Sequence, residues 1–240
     1  MTHAPSGLLR IDNRTLSQRV YEELKQKMIT AELMPGARIS LRGIAAQLGV
    51  SLMPVRQALW QLERDKVVVV EHNRQIRVNR LSADEFDEIL ELRLVLECKA
   101  AEEACRLRPD GAVDEVSSAL ERMAEVGADT TQFLQHNHDY HMLIYAYGNR
   151  PNLIDLIDNL WTRVGPYIYL ATLTTEDMDR SMGFHRRMYD AFRAGDAAAM
   201  TDAVRRDLTA AADQIRPVLE NPERRTTARA GDLQRDTGAV

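Results

Sequence analysis

The chain has 240 residues, 45% hydrophobic and 28% charged, with a net charge of −5, enough for one large domain or two small ones in an ordinary globular protein. No stretch approaches the roughly 18 consecutive apolar residues of a membrane span, and the opening MTHAPSGLLR lacks the apolar core of a signal peptide, so a cytoplasmic protein without a membrane partner is expected. The acidic total hides a split: residues 1–80 carry 13 Lys and Arg against 7 Asp and Glu, while residues 81–240 carry 18 against 29, leaving a basic first third suited to phosphates.

Residues 1–14 and 223–240 are polar and weakly patterned, and are expected to be flexible tails. From Thr15, apolar Leu16, Val20, Leu24 and Met28 recur every fourth residue and predict a helix, ended by the Pro35-Gly36 turn. A short helix follows with Leu41, Ile44, Ala45 and Leu48 on one face, broken at Gly49-Val50. A second starts with Ser51 as N-cap and Pro54 in its first turn, where a missing N–H costs nothing, and buries Val55, Ala58, Leu59 and Leu62. That pair is a helix-turn-helix. Val67–Val70 and Ile76–Val78 then predict a hairpin, with Arg74, Arg77 and Arg80 on or beside it. A helix-turn-helix followed by a basic hairpin is a winged helix, assigned to residues 15–80.

Residues 81–222 predict an antiparallel all-α bundle. Six helices are expected, roughly at 82–107, 111–126, 130–147, 151–173, 176–194 and 196–219, separated by breaks such as Pro109-Asp110-Gly111, Gly148-Asn149 and Gly195-Asp196. Cys98 and Cys105 lie two turns apart on the first of these, roughly 10 Å along the axis, so they read as core thiols and not as a disulfide or metal pair. The third contains HNHDYH, residues 136–141. His141 and Asn137 share a face at i and i−4, His138 is close at i−3, and His136 lies about 140° away and should be at the surface.

The stretch PGARISLRGIAAQLGVSLMPVRQALWQLERDKVV resembles the DNA-binding domain of GntR-family transcriptional regulators. ELRLVLE, YHMLIYAYGN and FHRRMYDAFRAGDAAAM resemble the helical effector domain of its FadR-like (FCD) branch, and six helices suit the VanR-like subgroup. The likeness spans about residues 15–220, with four motifs in order. It implies a mainly α protein: a winged helix-turn-helix domain plus a C-terminal antiparallel all-α bundle of six or seven helices that binds an effector. It also implies a homodimer on pseudo-palindromic double-stranded operator DNA, responding to a small organic acid.

A recognition helix enters the major groove by its N-terminal turns, which here present Ser51, Leu52, Met53, Arg56 and Gln57, with Arg42 and Arg74 beside them. Arg56 can pair bidentately with guanine. Leu52 stands where the family usually has a base-reading arginine and offers only apolar contact, for instance to a thymine methyl. Leu41 replaces the usual glutamate and Gln75 the usual wing-tip glycine. Trp60 is expected to pack against the effector domain, the alternative being exposure beside DNA.

The branch's metal pattern is Asp-x-x-x-His, a second His on the next-to-last helix and a third 22 residues later. Carried over, it falls on Asn137, His141, His185 and Asp207. Asn137 offers only a neutral carbonyl, and Asp207 exchanges an imidazole for a carboxylate. Two imidazoles and a carboxylate suit Zn²⁺, Ni²⁺, Mn²⁺ or Fe²⁺; the alternative is a metal-free pocket in which these groups hydrogen-bond one another around the effector. Arg93, with His141 and His185, is a candidate effector contact, the alternative for Arg93 being a plain i, i+4 pair with Glu97. Tyr140, Tyr147, Trp161 and Tyr167 either line the cavity or belong to the core. The leading reading is a regulator and not an enzyme. Its rivals are a two-His, one-carboxylate iron enzyme and an adaptor that has lost operator binding.

Overall fold

The computed structural model describes residues 15–72, 75–172 and 174–220. The expected tails at 1–14 and 223–240, and Arg74 at the wing tip, lie outside the described residues. The first unit runs α1 (Leu16–Ile29), β1 (Arg38–Ile39), α2 (Leu41–Leu48), α3 (Leu52–Arg64), β2 (Val68–Val70) and β3 (Ile76–Val78). Its sheet has the order β1-β3-β2 with both pairings antiparallel, Arg38 opposite Arg77 and Val68 opposite Val78. The predicted hairpin gains a third strand, β1, too short at two residues to leave an alternating pattern.

Local chemistry sets the helix ends. The Thr15 and Ser40 hydroxyls accept from the backbone N–H of Gln18 and Gly43 and cap α1 and α2. Gly49 closes α2 with φ of 64°, a left-handed conformation that a side chain disfavours. Ser51 occupies the N-cap of α3 with extended backbone, but its side chain makes no capping hydrogen bond. Val20, Leu24 and Met28 of α1 share a core with Val55, Leu59 and Leu62 of α3 and with Val67 and Val78. Leu16 and Leu48, members of the apolar patterns of α1 and α2, are exposed.

Among the described residues the second unit has six α-helices: α4 (Ala83–Leu107), α5 (Ala112–Glu125), α6 (Thr130–Ala146), α7 (Pro151–Ile168), α8 (Thr175–Ala194) and α9 (Ala197–Glu220). Reciprocal capping boxes, Ser82 with Glu85 and Thr174 with Asp177, start α4 and α8. Helix α7 ends earlier than the expected 173, giving way after Ile168 to a single 3₁₀ turn at Tyr169–Ala171, which starts three residues beyond Pro166. Helix α4 packs along α9, α9 along α8, and α6 touches α4, α5 and α7. Cys98 and Cys105 are buried free thiols, each with its pKa raised by burial.

The units meet through α1, which packs on α3 at one side and α7 at the other. A Cβ on Gly165 of α7 would sit 2.7 Å from Ile29 Cα, so the two backbones touch without a side chain between them. The Leu81 N–H donates to Tyr167 Oη at 2.8 Å, fixing the start of the bundle. Among the described residues, no helix is long and apolar enough to cross a membrane.

Candidate functional site

Helix α3 turns its apolar side inward, so at 100° per residue its outer side carries Leu52, Met53, Arg56, Gln57 and Trp60. All five are exposed, as are Ser51 and Arg42. Trp60 departs from expectation: it is 59% exposed and shares a face with Gln57, Arg56 and Met53, three, four and seven residues back. It does not pack against the bundle, because the bundle-facing surface of this unit is α1. Arg77 is occupied within the wing, its Nε pairing with Glu71 at 2.8 Å and its Nη1 donating to Gly36 O at 3.1 Å.

In the bundle, α6, α8 and α9 bring His141, His185 and Asp207 together. The two Nε2 atoms are 3.1 Å apart, His141 Nε2 lies 3.5 Å from Asp207 Oδ2, and His185 Nε2 lies 3.9 Å from Asp207 Oδ1. Donors bound tetrahedrally at 2.0–2.2 Å stand roughly 3.3–3.6 Å apart, so the three donors lie within about 0.3 Å of the spacing one ion needs. Burial, then the neighbouring His185 and Arg93, hold His141 well below the usual histidine range, and burial brings His185 to about 3. Both imidazoles are therefore neutral near pH 7, the form that ligates. Burial raises Asp207 to about 7, so its carboxylate lacks enough nearby positive charge to hold it fully ionised.

The tautomer of His141 follows from its neighbours. Tyr145 Oη donates to Glu97 Oε2 at 2.9 Å, because a carboxylate only accepts. The Tyr145 oxygen is left to accept from His141 Nδ1–H at 3.0 Å. His141 Nε2 then carries a free lone pair toward His185 and Asp207, the arrangement seen around metal-bound histidines. Tyr145→Phe is expected to weaken divalent-metal affinity by about 10- to 100-fold without removing a ligand, a loss readable by calorimetric titration with Zn²⁺.

Tyr145 went unrecognised in the sequence, although it sits four residues after His141, and Glu97 was read only as an i, i+4 partner for Arg93. Glu97 is fully buried and accepts from Arg93 Nε at 2.5 Å, Tyr145 Oη and Trp161 Nε1 at 3.1 Å. Arg93 forms the i, i+4 pair with Glu97 and also lines a cavity. Its Nε pairs with Glu97 and its guanidinium lies 4.5 Å over the Trp161 ring, while Nη2 is buried without a hydrogen-bond partner beside a cavity of about 40 Å³. Asn137 and Asp207 line the same cavity, and Asn137 Oδ1 is also buried without a partner.

Of the four aromatics, only Trp161 lines this cavity. Tyr140 Oη donates to His185 O, Tyr147 Oη to Glu115, and Tyr167 holds Leu81. His136 is partly exposed. His138 is buried and directs Nε2 to Asp158 Oδ1 at 3.0 Å.

The family description "Bacterial regulatory proteins, gntR family" matches residues 16–78, and "FCD domain" matches residues 88–210. The chain is 29% identical over 184 residues to the HTH-type transcriptional regulator McbR of Escherichia coli (strain K12), covering 75% of this chain and 83% of that one. It is 26% identical over 189 residues to the gluconate operon transcriptional repressor of Bacillus licheniformis, covering 76% and 77%. The solved structure of E. coli McbR/YncC superposes with a TM-score of 0.76 at 25% identity, covering 88% of this chain and 99% of that one. A GntR regulator structure from Rhodococcus sp. RHA1 gives 0.69 at 26%, covering 83% and 96%.

Proposed function

The chain belongs to the GntR family of bacterial transcriptional regulators and carries an FCD domain, and on that premise we propose that a small carboxylate bound in its helical bundle tunes its affinity for an operator. Residues 15–80 form the DNA-binding unit and residues 81–222 the effector-binding unit, and the protein acts as a homodimer on a pseudo-palindromic site. The observation that carries this reading is the half-paired, buried Arg93 guanidinium facing the same cavity as Asp207 and Asn137. A buried cation with a free donor is an anion site in waiting, since leaving it unmet costs its desolvation. The gluconate operon repressors, whose name points to a sugar acid, agree with an acidic effector.

His141, His185 and Asp207, with the carbonyl of Asn137, would hold a divalent ion such as Zn²⁺, Ni²⁺, Mn²⁺ or Fe²⁺. Such an ion would supply a positive charge that favours the ionised form of Asp207 and an acidic effector. Arg93 Nη2 grips the carboxylate, and Glu97 fixes Arg93 through Nε. The ligand shifts the operator equilibrium only by as much as it prefers one arrangement of the dimer over the other.

Titrating labelled operator DNA with protein, in the presence and absence of a panel of small mono- and dicarboxylates, tests this. One acid should change the operator Kd, and Arg93→Gln should weaken that acid by about 10- to 150-fold, the worth of hydrogen bonds to a charged group. If no acid shifts the Kd, the effector reading fails.

On the DNA side, Arg42, Ser51, Leu52, Met53, Arg56 and Gln57 are the proposed contacts. Trp60 joins them because of its exposure. Of the two tryptophans, Trp161 is buried in the bundle, so Trp60 should account for the emission change on operator binding. Trp60→Phe is expected to remove it.

A further inference from the structure

We infer that Asp158 is a positioning residue that sets the angle between the DNA-reading unit and the bundle, and couples that angle to the helix carrying Asn137 and His141. Asp158 lies on α7 and is claimed from two sides. Lys25 of α1, whose side chain is only 8% exposed, pairs with Oδ2. His138 of α6 meets Oδ1 at 3.0 Å. The carboxylate is thus the one group among those described that joins a charged side chain of the winged helix to the metal-site helix.

The setting makes this pair more than a tie. Near Gly165 the backbones of α1 and α7 touch, Gly165 against Ile29 and Met28 O. That contact fixes their separation at the crossing point, so their relative rotation depends on side-chain links away from it. Lys25 stands one turn from the crossing on α1 and Asp158 two turns from it on α7, so their bond acts off the pivot and sets the rotation. An open cleft of about 840 Å³ flanks the pair, lined by Gln18, Glu22 and Gln61 from one unit and by Asn152, Asp155 and Asn159 from the other. The pair acts beside a direct contact of α1 with α6 and the hold of Tyr167 on Leu81.

Each end of the link is rigidly attached to what it moves. Helix α1 shares its core with α3, and Tyr21 Oη donates to Asp65 at the C-cap of α3 at 2.9 Å. Turning α1 therefore turns the recognition helix. At the other end His138 adjoins Asn137 and precedes His141 by three residues. A helix moves as a rod on this scale, so a ligand that draws in Asn137 and His141 carries His138 with it and reorients the Asp158 carboxylate. Coupling of this kind requires a shared element that both sites bias, and α1 resting on Asp158 is that element.

The inference builds on the regulator reading, but its test needs neither operator nor effector, so the two fail separately. Spin labels at Gln61→Cys on α3 and Ser118→Cys on α5, in protein diluted with unlabelled chains, report the intrachain distance; Cys98 and Cys105 are buried and stay unlabelled. The parent should give a narrow distribution. Lys25→Gln, Asp158→Asn and His138→Phe should each broaden it about twofold or more, as expected of a released hinge, and Lys25→Arg should keep it narrow. His138→Phe is the discriminating variant, since His138 belongs to the bundle and meets the α1 cation only through Asp158. Unchanged widths in all variants overturn the proposal. Broadening on the Lys25 side without any in His138→Phe also overturns it, because the pair would then be a local tie with no link to α6.

Discussion

Zn²⁺ added at about 100 times its Kd is expected to stabilise the protein by about 2.7 kcal/mol, raising Tm by roughly 5–10 °C for a chain of this size. His141→Ala and His185→Ala should each abolish that rise and weaken Zn²⁺ binding by about 10²-fold or more, beyond what loss of an outer-shell partner costs. Both side chains are fully buried, their Nε2 atoms lie 3.1 Å apart, and neither is protonated near pH 7. Two neutral nitrogens that close share one proton in an N–H···N hydrogen bond, and an ion replaces that one bond with two metal–ligand bonds. His136→Ala is the control. It sits on the same helix, partly exposed and turned away, so its Zn²⁺ response should match the parent. Thermal unfolding with and without Zn²⁺ measures all three, and a parent that gains nothing from Zn²⁺, Ni²⁺, Mn²⁺ or Fe²⁺ contradicts the metal assignment.

Arg56→Ala should weaken specific operator binding by about 5- to 150-fold, the 1–3 kcal/mol of one bidentate guanine contact, and relax selectivity at a single base pair. Its binding to random DNA should change far less. Arg56 is exposed one turn into α3, beyond Leu52, and with leucine in that first-turn position it is the one arginine on the reading face of this helix. Arg42 lies at the start of α2, the first helix of the pair, which in helix-turn-helix proteins crosses the DNA backbone. Arg42→Ala should weaken all sequences alike and reduce the salt slope by about one. Equal losses from both variants on specific and random DNA would place Arg56 on a phosphate.

The bundle was readable because its helices announce their ends: Ser82 with Glu85, Thr174, Gly195 and the Pro109-Asp110-Gly111 break all sit where chemistry requires a cap or a stop. Helix α7 ran short because an apolar run, WTRVGPYIYLATL, conceals the change to a 3₁₀ turn. Trp60 was misplaced because a large aromatic on an amphipathic helix suggests burial, and nothing in the periodicity tells that α1, and not α3, faces the bundle. The convergence of His141, His185 and Asp207 was reached through family resemblance. Helical spacing relates residues on one helix and is silent about three helices meeting. Glu97 and Tyr145 were visible as i+4 partners, but the reason to choose them is the fully buried carboxylate that ties Arg93 to His141, which only packing reveals. The Lys25–Asp158 link joins residues 133 positions apart and left no mark in the sequence.

The central claim is that this chain reads DNA by sequence and that the bundle governs how tightly. Fluorescence anisotropy with DNA flanking its own gene, against random DNA of equal length, at 50 to 200 mM salt and with or without Zn²⁺ and the carboxylate panel, tests it most directly. The account predicts a preference of about 10³-fold or more for one fragment, a steep fall of affinity with salt, and a Kd that shifts when an acid is added. Equal affinity for both DNAs under every condition would contradict it.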